Sequence, residues 1–250
     1  MAAIHAVMYR EARIRFTNLM WMFWDLFYPL GYLLVFGVGI NYALGSPLPG
    51  GYDYNAFFLS SVLGMAVLGI AGNTAWGFFT DRDNGIFYEM LTYPLSRAQF
   101  LLGKVLFNLL LALLQAWITV ALAWWLLDVP LRADLLPLLL LGVLAGTAGW
   151  FFFYAIFALR IRRNDIFNTV TSVFYFVFLF ASSTFYPLEP LPAWLRYAAL
   201  ANPLTWHVDF LRYSTIGVGQ PRVILLEAAG FMAFTLVAFV IAVRSLQQQE

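Results

Sequence analysis

The chain has no cysteine, only two histidines, and charged side chains at 11% of its residues, against about 25% in soluble domains. Without cysteine there are no disulfides, thiolate nucleophiles or thiolate-bound metal clusters. No G-x-x-x-x-G-K-[ST] phosphate loop occurs; the nearest fragment, Gly103-Lys104, lacks both the preceding glycine and the following hydroxyl. A G-x-S-x-G nucleophile elbow is missing too. These absences speak against an autonomous catalyst. The formal net charge of +1 speaks against a nucleic-acid partner, which needs a concentrated basic surface.

Long apolar runs are what the chain does have. Residues 20–44, 56–79, 104–127, 135–159, 166–187 and 223–243 can each cross a hydrocarbon core of ~30 Å at ~1.5 Å per residue. The expected fold is therefore an all-α integral membrane protein with six transmembrane helices, read as one domain over 1–250. The first run has no small-residue cleavage site and exceeds a signal-peptide core, so it is expected to stay in the membrane. Aromatic residues gather at the run ends, at Trp21, Trp24, Trp76, Phe78, Phe79, Trp124 and Trp125. Amphipathic rings favour the headgroup level, which gives interfacial belts; a carbohydrate- or drug-binding surface is the other reading.

Basic residues set the orientation. Arg10, Arg13, Arg15, Arg82, Arg97, Lys104, Arg160, Arg162, Arg163 and Arg244 fall on one side, and Arg132, Arg196, Arg212 and Arg222 on the other. The richer side is cytoplasmic by the positive-inside rule, so both termini face the cytoplasm. His5 and His207 then lie on opposite sides and cannot share a metal. Residues 1–19 put Ile4, Val7, Met8 and Phe16 on a stripe with Ala3 and Ala12, which suggests an interfacial helix. A basic flank that only fixes orientation is the alternative.

Two connections exceed the usual short loops. In 80–103, Ile86, Met90 and Leu91 sit at helical spacing, Pro94 marks a turn, and Ser96 is placed to N-cap the next span. Arg82 and Asp83 offer a local ion pair there. In 188–222, Pro192 and Pro203 suit first helical positions and Asn202 an N-cap, which predicts two short re-entrant outer helices. Trp194 and Trp206 belong in the outer headgroup layer or over an exit path.

Charges inside the runs are Asp25 and Glu227, each about one turn from an end. They are solvated near an interface or take part in substrate passage. Gly142 and Gly146, with Gly149 nearby, form a small-residue surface for packing within the chain or between subunits. Pro29 predicts a kink in the first span.

Taken together, the segment Gly85-Ile86-Phe87-Tyr88-Glu89-Met90-Leu91-Thr92-Tyr93-Pro94-Leu95-Ser96-Arg97, then Leu191-Pro192-Ala193-Trp194 and Asn202-Pro203-Leu204-Thr205, resembles the permease subunit of ABC-2 type exporters. The resemblance covers essentially the whole chain. One departure is Asp81-Arg82-Asp83-Asn84, where a more basic or Glu-rich stretch is expected. The resemblance implies a transmembrane half without its own ATPase, paired as a homodimer or with a second permease in a bacterial-type inner membrane. Separate ATP-binding cassette subunits would hold ATP and Mg; no cofactor would bind this chain directly. It assigns coupling to the ATPase to Gly85, Glu89, Pro94, Ser96 and Arg97. The outer gate falls to Pro192, Trp194, Asn202 and Pro203, and the pathway to Asp25 and Glu227. The expected cargo is an amphipathic lipid or drug-like molecule, with a polysaccharide or lipid-linked glycan as the alternative. An ion-coupled secondary carrier, or a membrane scaffold without transport, is the reading from another class.

Overall fold

The computed structural model describes residues 2–48, 50–90, 92–94 and 96–247, and among these every regular element is helical. In order they are α1 (Ala2–Thr17), α2 (Leu19–Tyr32), α3 (Val38–Leu44), α4 (Tyr54–Asp83), α5 (Ile86–Met90), α6 (Arg97–Leu127), α7 (Leu136–Arg160), α8 (Asn164–Phe180), α9 (Ala193–Leu200), α10 (Pro203–Ile216) and α11 (Pro221–Gln247). A π-helical turn at Leu33–Gly37 joins α2 to α3. Five stretches are long and apolar enough to cross a membrane: Phe23–Leu44, Tyr54–Asp83, Gln99–Leu127, Leu136–Arg160 and Pro221–Gln247.

The expected run 166–187 is not one helix. α8 has 17 residues, roughly 25 Å of helix, and ends at Phe180. Beyond it the chain finds better hydrogen bonds outside a helix. The Ser182 hydroxyl donates to Leu179 O at 2.8 Å, and the Ser183 hydroxyl to Asp209 Oδ1 at 2.7 Å. Pro187 has no N–H to continue a helical ladder.

α4 is the axis of the bundle, packed against α7, α6 and α10. It is apolar on all sides, as a helix surrounded by other helices must be; Val62, Leu63, Val67 and Leu68 are fully buried. Gly64 lets α10 approach, since a Cβ there would meet Val208 Cγ2 at 2.6 Å. The α7 glycines work the same way. A Cβ at Gly142 would meet Leu211 at 2.8 Å, one at Gly146 would fall on the His207 imidazole, and one at Gly149 on the Thr235 hydroxyl. The small-residue face is thus filled by α10 and α11 of the same chain. His207 is held there between Gly142 O (Nε2, 3.1 Å) and the Trp150 indole N–H, which donates to Nδ1 at 3.4 Å.

Three expectations need correction. Phe78 and Phe79 are not belt residues: both are buried, against Phe87 and Phe100 and against Phe167 respectively. Trp24, Trp76, Trp124 and Trp125 do lie on the outside, while the Trp21 side chain falls outside the described residues. The stripe assigned to α1 is also displaced. Val7 and Glu11 face inward, whereas Phe16 is exposed. Glu11 turns that face inward by reaching Lys104 at 2.8 Å, and Gly103 leaves room for Val7. Finally, Arg82 does not pair locally with Asp83: its guanidinium donates to Leu159 O at 2.6 Å and to Ile161 O, satisfying the C-terminal end of α7.

Candidate transport cavity and coupling edge

Three buried charges, Lys104, Glu11 and Asp81, and the half-buried Arg10 meet where α1 crosses α4 and α6. The Lys104 ammonium, 1% exposed, contacts Glu11 at 2.8 Å and Asp81 at 2.7 Å. Arg10 closes the group through two hydrogen bonds to Asp81, at 2.5 and 2.9 Å, and one to Glu11 at 3.2 Å. Its hydrogen bond to Asp81 raises the Arg10 guanidinium above its ordinary value, against the opposing effect of burial. Desolvating these ions is costly, but each meets an opposite charge. Lys104 sits at the start of an apolar run, and sequence alone gave no partner for it.

The coupling candidates emerge beside this cluster. Gly85 adopts φ +76°, a left-handed turn that favours glycine, and ends α4 so that α5 can begin. α5 is one short helix; Phe87 anchors it in the core while Tyr88 and Glu89 face outward. The buried anchor is therefore Phe87, with Ile86 and Met90 half-buried and Leu91 outside the described residues. Pro94 and Ser96 are exposed, and Ser96 forms a reciprocal cap with Gln99. The Arg97 side chain also lies outside the described residues. Gly85, Glu89, Pro94 and Ser96 are thus each exposed, along the segment that Phe87 anchors.

Asp25 is not solvated. Its carboxylate accepts from Arg15 at 2.6 Å and from Asn73 at 2.8 Å, tying α1, α2 and α4 together. It sits in the wall of a cavity of about 660 Å³ between α2, α4, α7 and α8. Trp24, Tyr28, Trp76, Tyr154 and Tyr175 supply aromatic faces. Asn73, Asn168, Thr171 and Ser172 supply amides and hydroxyls. Large rings with a few polar groups suit a ligand that is largely apolar and polar at one place. Asp25, Trp24 and Trp76 were singled out from the sequence, the two rings with a ligand-binding surface as one reading; Tyr28, Asn73, Tyr154, Asn168, Thr171, Ser172 and Tyr175 were not. The legible signal was Asn73 within an apolar run, and Asn168, Thr171, Ser172 and Tyr175 at i, i+3, i+4 and i+7 on one helix.

Glu227 lies elsewhere, in a second cavity at the opposite end of the bundle. The outer-segment residues form a different arrangement again. Asn202 caps α10 by accepting from Leu204 N at 2.9 Å, and Pro203 takes the first helical position. The same amide donates to Phe178 O at 2.8 Å and Ala181 O at 2.6 Å, so it also closes the end of α8. Pro192 precedes α9 as its N-cap instead of opening its first turn. Trp194 is 73% exposed on α9, and Trp206 donates to Leu200 O at 2.7 Å. α10 carries one feature missed from sequence: Arg212, stacked 4.0 Å over the Phe57 ring and paired with Asp209.

Comparison with known proteins gives these features a family. Residues 2–216 match the model of the ABC-2 type transporter family. The transport permease ycf38 of Pyropia yezoensis is 26% identical over 186 residues, covering 74% of this chain and 64% of its own length. The multidrug ABC transporter permease YbhR of Escherichia coli K12 is 26% identical over 161 residues, covering 64% of this chain. The match spans 44% of that protein's length, so the chain corresponds to part of these relatives. With a bundle of apolar helices, an exposed edge after α4 and a match over most of its length, the chain belongs to the ABC-2 type transporter family.

Proposed function

We propose that this chain is the membrane half of an ATP-driven exporter for an amphipathic lipid or drug-like substrate. The observation that carries the reading is the cavity of about 660 Å³ between α2, α4, α7 and α8, whose rings and clustered amides suit such a molecule. The relative YbhR is named a multidrug ABC transporter permease, in keeping with this substrate class. In the proposed arrangement the chain lies in a bacterial-type inner membrane and α8 serves as a short sixth span. Both termini face the cytoplasm, with α9 and α10 as the outer re-entrant pair.

Separate ATP-binding cassette subunits hold ATP and Mg, and the edge from Gly85 to Arg97 fits against them. A second permease copy completes the path. ATP does work here only by binding the closed motor pair more tightly than the open one. Closure pushes the α5 edge. The rigid charge cluster at α1, α4 and α6 passes that push to the spans as a shear or rocking motion. Asp25 acts as a tie between helices, since both its oxygens are engaged by Arg15 and Asn73. That pairing favours a motor-driven permease over an ion-coupled carrier, which needs a carboxylate free to exchange its partner.

The test is reconstitution with the ATPase subunit in proteoliposomes. Asn73→Leu is expected to lower ATP-dependent efflux of a fluorescent amphiphile, and Glu89→Ala to lower substrate-stimulated ATP hydrolysis with folding intact. Efflux and hydrolysis at wild-type levels in both variants would refute the reading. A glycan substrate is the second reading, favoured by the hydroxyl and amide groups of Asn168, Thr171 and Ser172. It predicts efflux of a lipid-linked oligosaccharide and none of the amphiphile. Orientation is checked with single cysteines in this cysteine-free chain: Ser46→Cys and Gln220→Cys are expected to label from outside and His5→Cys not.

A further inference from the structure

The second cavity has a chemistry of its own. It measures about 410 Å³ and opens where Tyr52, the loop 181–192 and the loop 217–220 converge, at the end of the bundle away from α1. Its wall contains five charges: Glu189, Arg196, Asp209, Arg212 and Glu227. Two of these neutralise each other, because Arg212 pairs with Asp209. Arg212 also donates to Ser183 O at 2.9 Å and lies over Phe57, which fixes its plane. With the guanidinium so held, its Nε–H is buried without a partner, on a side chain only 7% exposed. Across the same cavity wall, Glu227 Oε2 is likewise buried and without a hydrogen-bond partner. Among the described residues no ion pair forms at Glu227, Glu189 or Arg196.

A buried donor left without an acceptor keeps its desolvation penalty, and a buried carboxylate oxygen keeps a larger one. Both residues line one cavity, which is large enough for a small polar group, and the two unpartnered atoms lie just behind its wall. An anion alone would satisfy Arg212 Nε and Arg196 but be repelled by Glu227 and Glu189. A simple cation would satisfy the carboxylates and leave the guanidinium N–H unmatched. A group with an ammonium at one end and a phosphate oxygen at the other answers both. The apolar remainder of the wall, with Tyr52, Leu188, Val223 and Ile224, can cover the carbon atoms of such a group.

We propose that this cavity is a binding site for a zwitterionic aminophosphate head of the phosphoethanolamine type, with its ammonium on Glu227 and its phosphate on Arg196 and the Arg212 Nε–H. The site stands apart from the transport reading, since it needs neither ATP nor a motor subunit. The head group has two sources, a membrane lipid and a free soluble molecule. The primary ammonium is the specific element: its N–H groups donate to the carboxylate, whereas a trimethylated head has none to offer.

The experiment uses the purified full chain without an ATPase partner. Calorimetric titration with O-phosphoethanolamine is compared with phosphocholine, in wild type, Glu227→Gln and Arg196→Gln. Native mass spectrometry then asks whether phosphatidylethanolamine stays bound after purification. Expected is saturable binding of phosphoethanolamine, at least tenfold weaker for phosphocholine and at least tenfold weaker in each variant. Retained phosphatidylethanolamine that is lost in Glu227→Gln points to the lipid as the source. Binding of the free head without retained lipid points to a soluble ligand. Equal affinity for both heads, unchanged affinity in Glu227→Gln, or neither binding nor retention overturns the proposal. Size-exclusion profiles confirm that the variants stay folded; Arg196 is exposed, so its substitution leaves the core intact.

Discussion

The two ends of the bundle treat buried charge in opposite ways. At the α1 end, Lys104 meets two carboxylates within 2.8 Å and Arg10 doubles the contacts to Asp81. At the other end, Glu227 Oε2 and Arg212 Nε have no hydrogen-bond partner among the described residues. Both ends carry the same kinds of side chain, so composition does not separate them. Closure does: one group of charges is completed by the chain itself, and the other leaves room for something else. A saturated network resists deformation, which suits an element that transmits force. An unsaturated one suits an element that binds.

Breaking the saturated end gives the largest expected effect. Lys104→Met leaves Glu11 and Asp81 buried with fewer partners and is expected to cost about 3–5 kcal/mol, read as a lower melting temperature in detergent. A loss below about 1 kcal/mol would show that water reaches the cluster and that the contrast between the ends is overdrawn. Asn202→Leu comes next. It removes the cap of α10 and strands the carbonyls of Phe178 and Ala181 at the end of α8, for an expected loss of about 2–3 kcal/mol by thermal unfolding. Gly146→Ala drives a methyl group into His207 and is expected to cost about 1–2 kcal/mol, with disturbed packing of Trp150 visible in its fluorescence. Glu227→Gln is the smallest. Without ligand its stability is expected to stay within about 0.5 kcal/mol of wild type or to rise, since no contact is lost. A fall as large as that of Lys104→Met would mean that the two ends do not differ.

Much of this was legible before any coordinates, and what was not has identifiable causes. Apolar runs fix where long helices lie because hydropathy is summed over about 20 residues, so local errors average out. Ser96 and Asn202 were readable as caps because a helix start needs a side-chain acceptor at one defined position. Partners were not readable. Nothing local tells Lys104 that Glu11, 93 residues earlier, will face it, or Arg82 that the end of α7 needs donors. The end of α8 was hidden for a related reason. Ser182, Ser183 and Thr184 read as tolerable in an apolar run until Asp209 and Asn202 arrive from α10 and its start. Asp25 shows the same limit: its place near a run end was visible, whereas Asn73 and Arg15 as its partners were not.

The π-helical turn at Leu33–Gly37 sets the angular phase of the first span. A wide turn holds about one more residue than an α-turn, so it advances the angular position of everything that follows by about 100°. Trp24, Asp25 and Tyr28 before the turn are committed to the wall of the larger cavity. Asn41 after it is committed to accepting from Tyr54 N at 3.0 Å, which secures the start of α4. In a regular helix those two commitments would be locked to a single phase. The turn offsets one from the other, so it works as a phase shifter between the cavity and the loop end of the bundle. Deleting one residue between Leu33 and Gly37 would shorten the span by only about 1.5 Å, yet rotate one of these surfaces away from its partner.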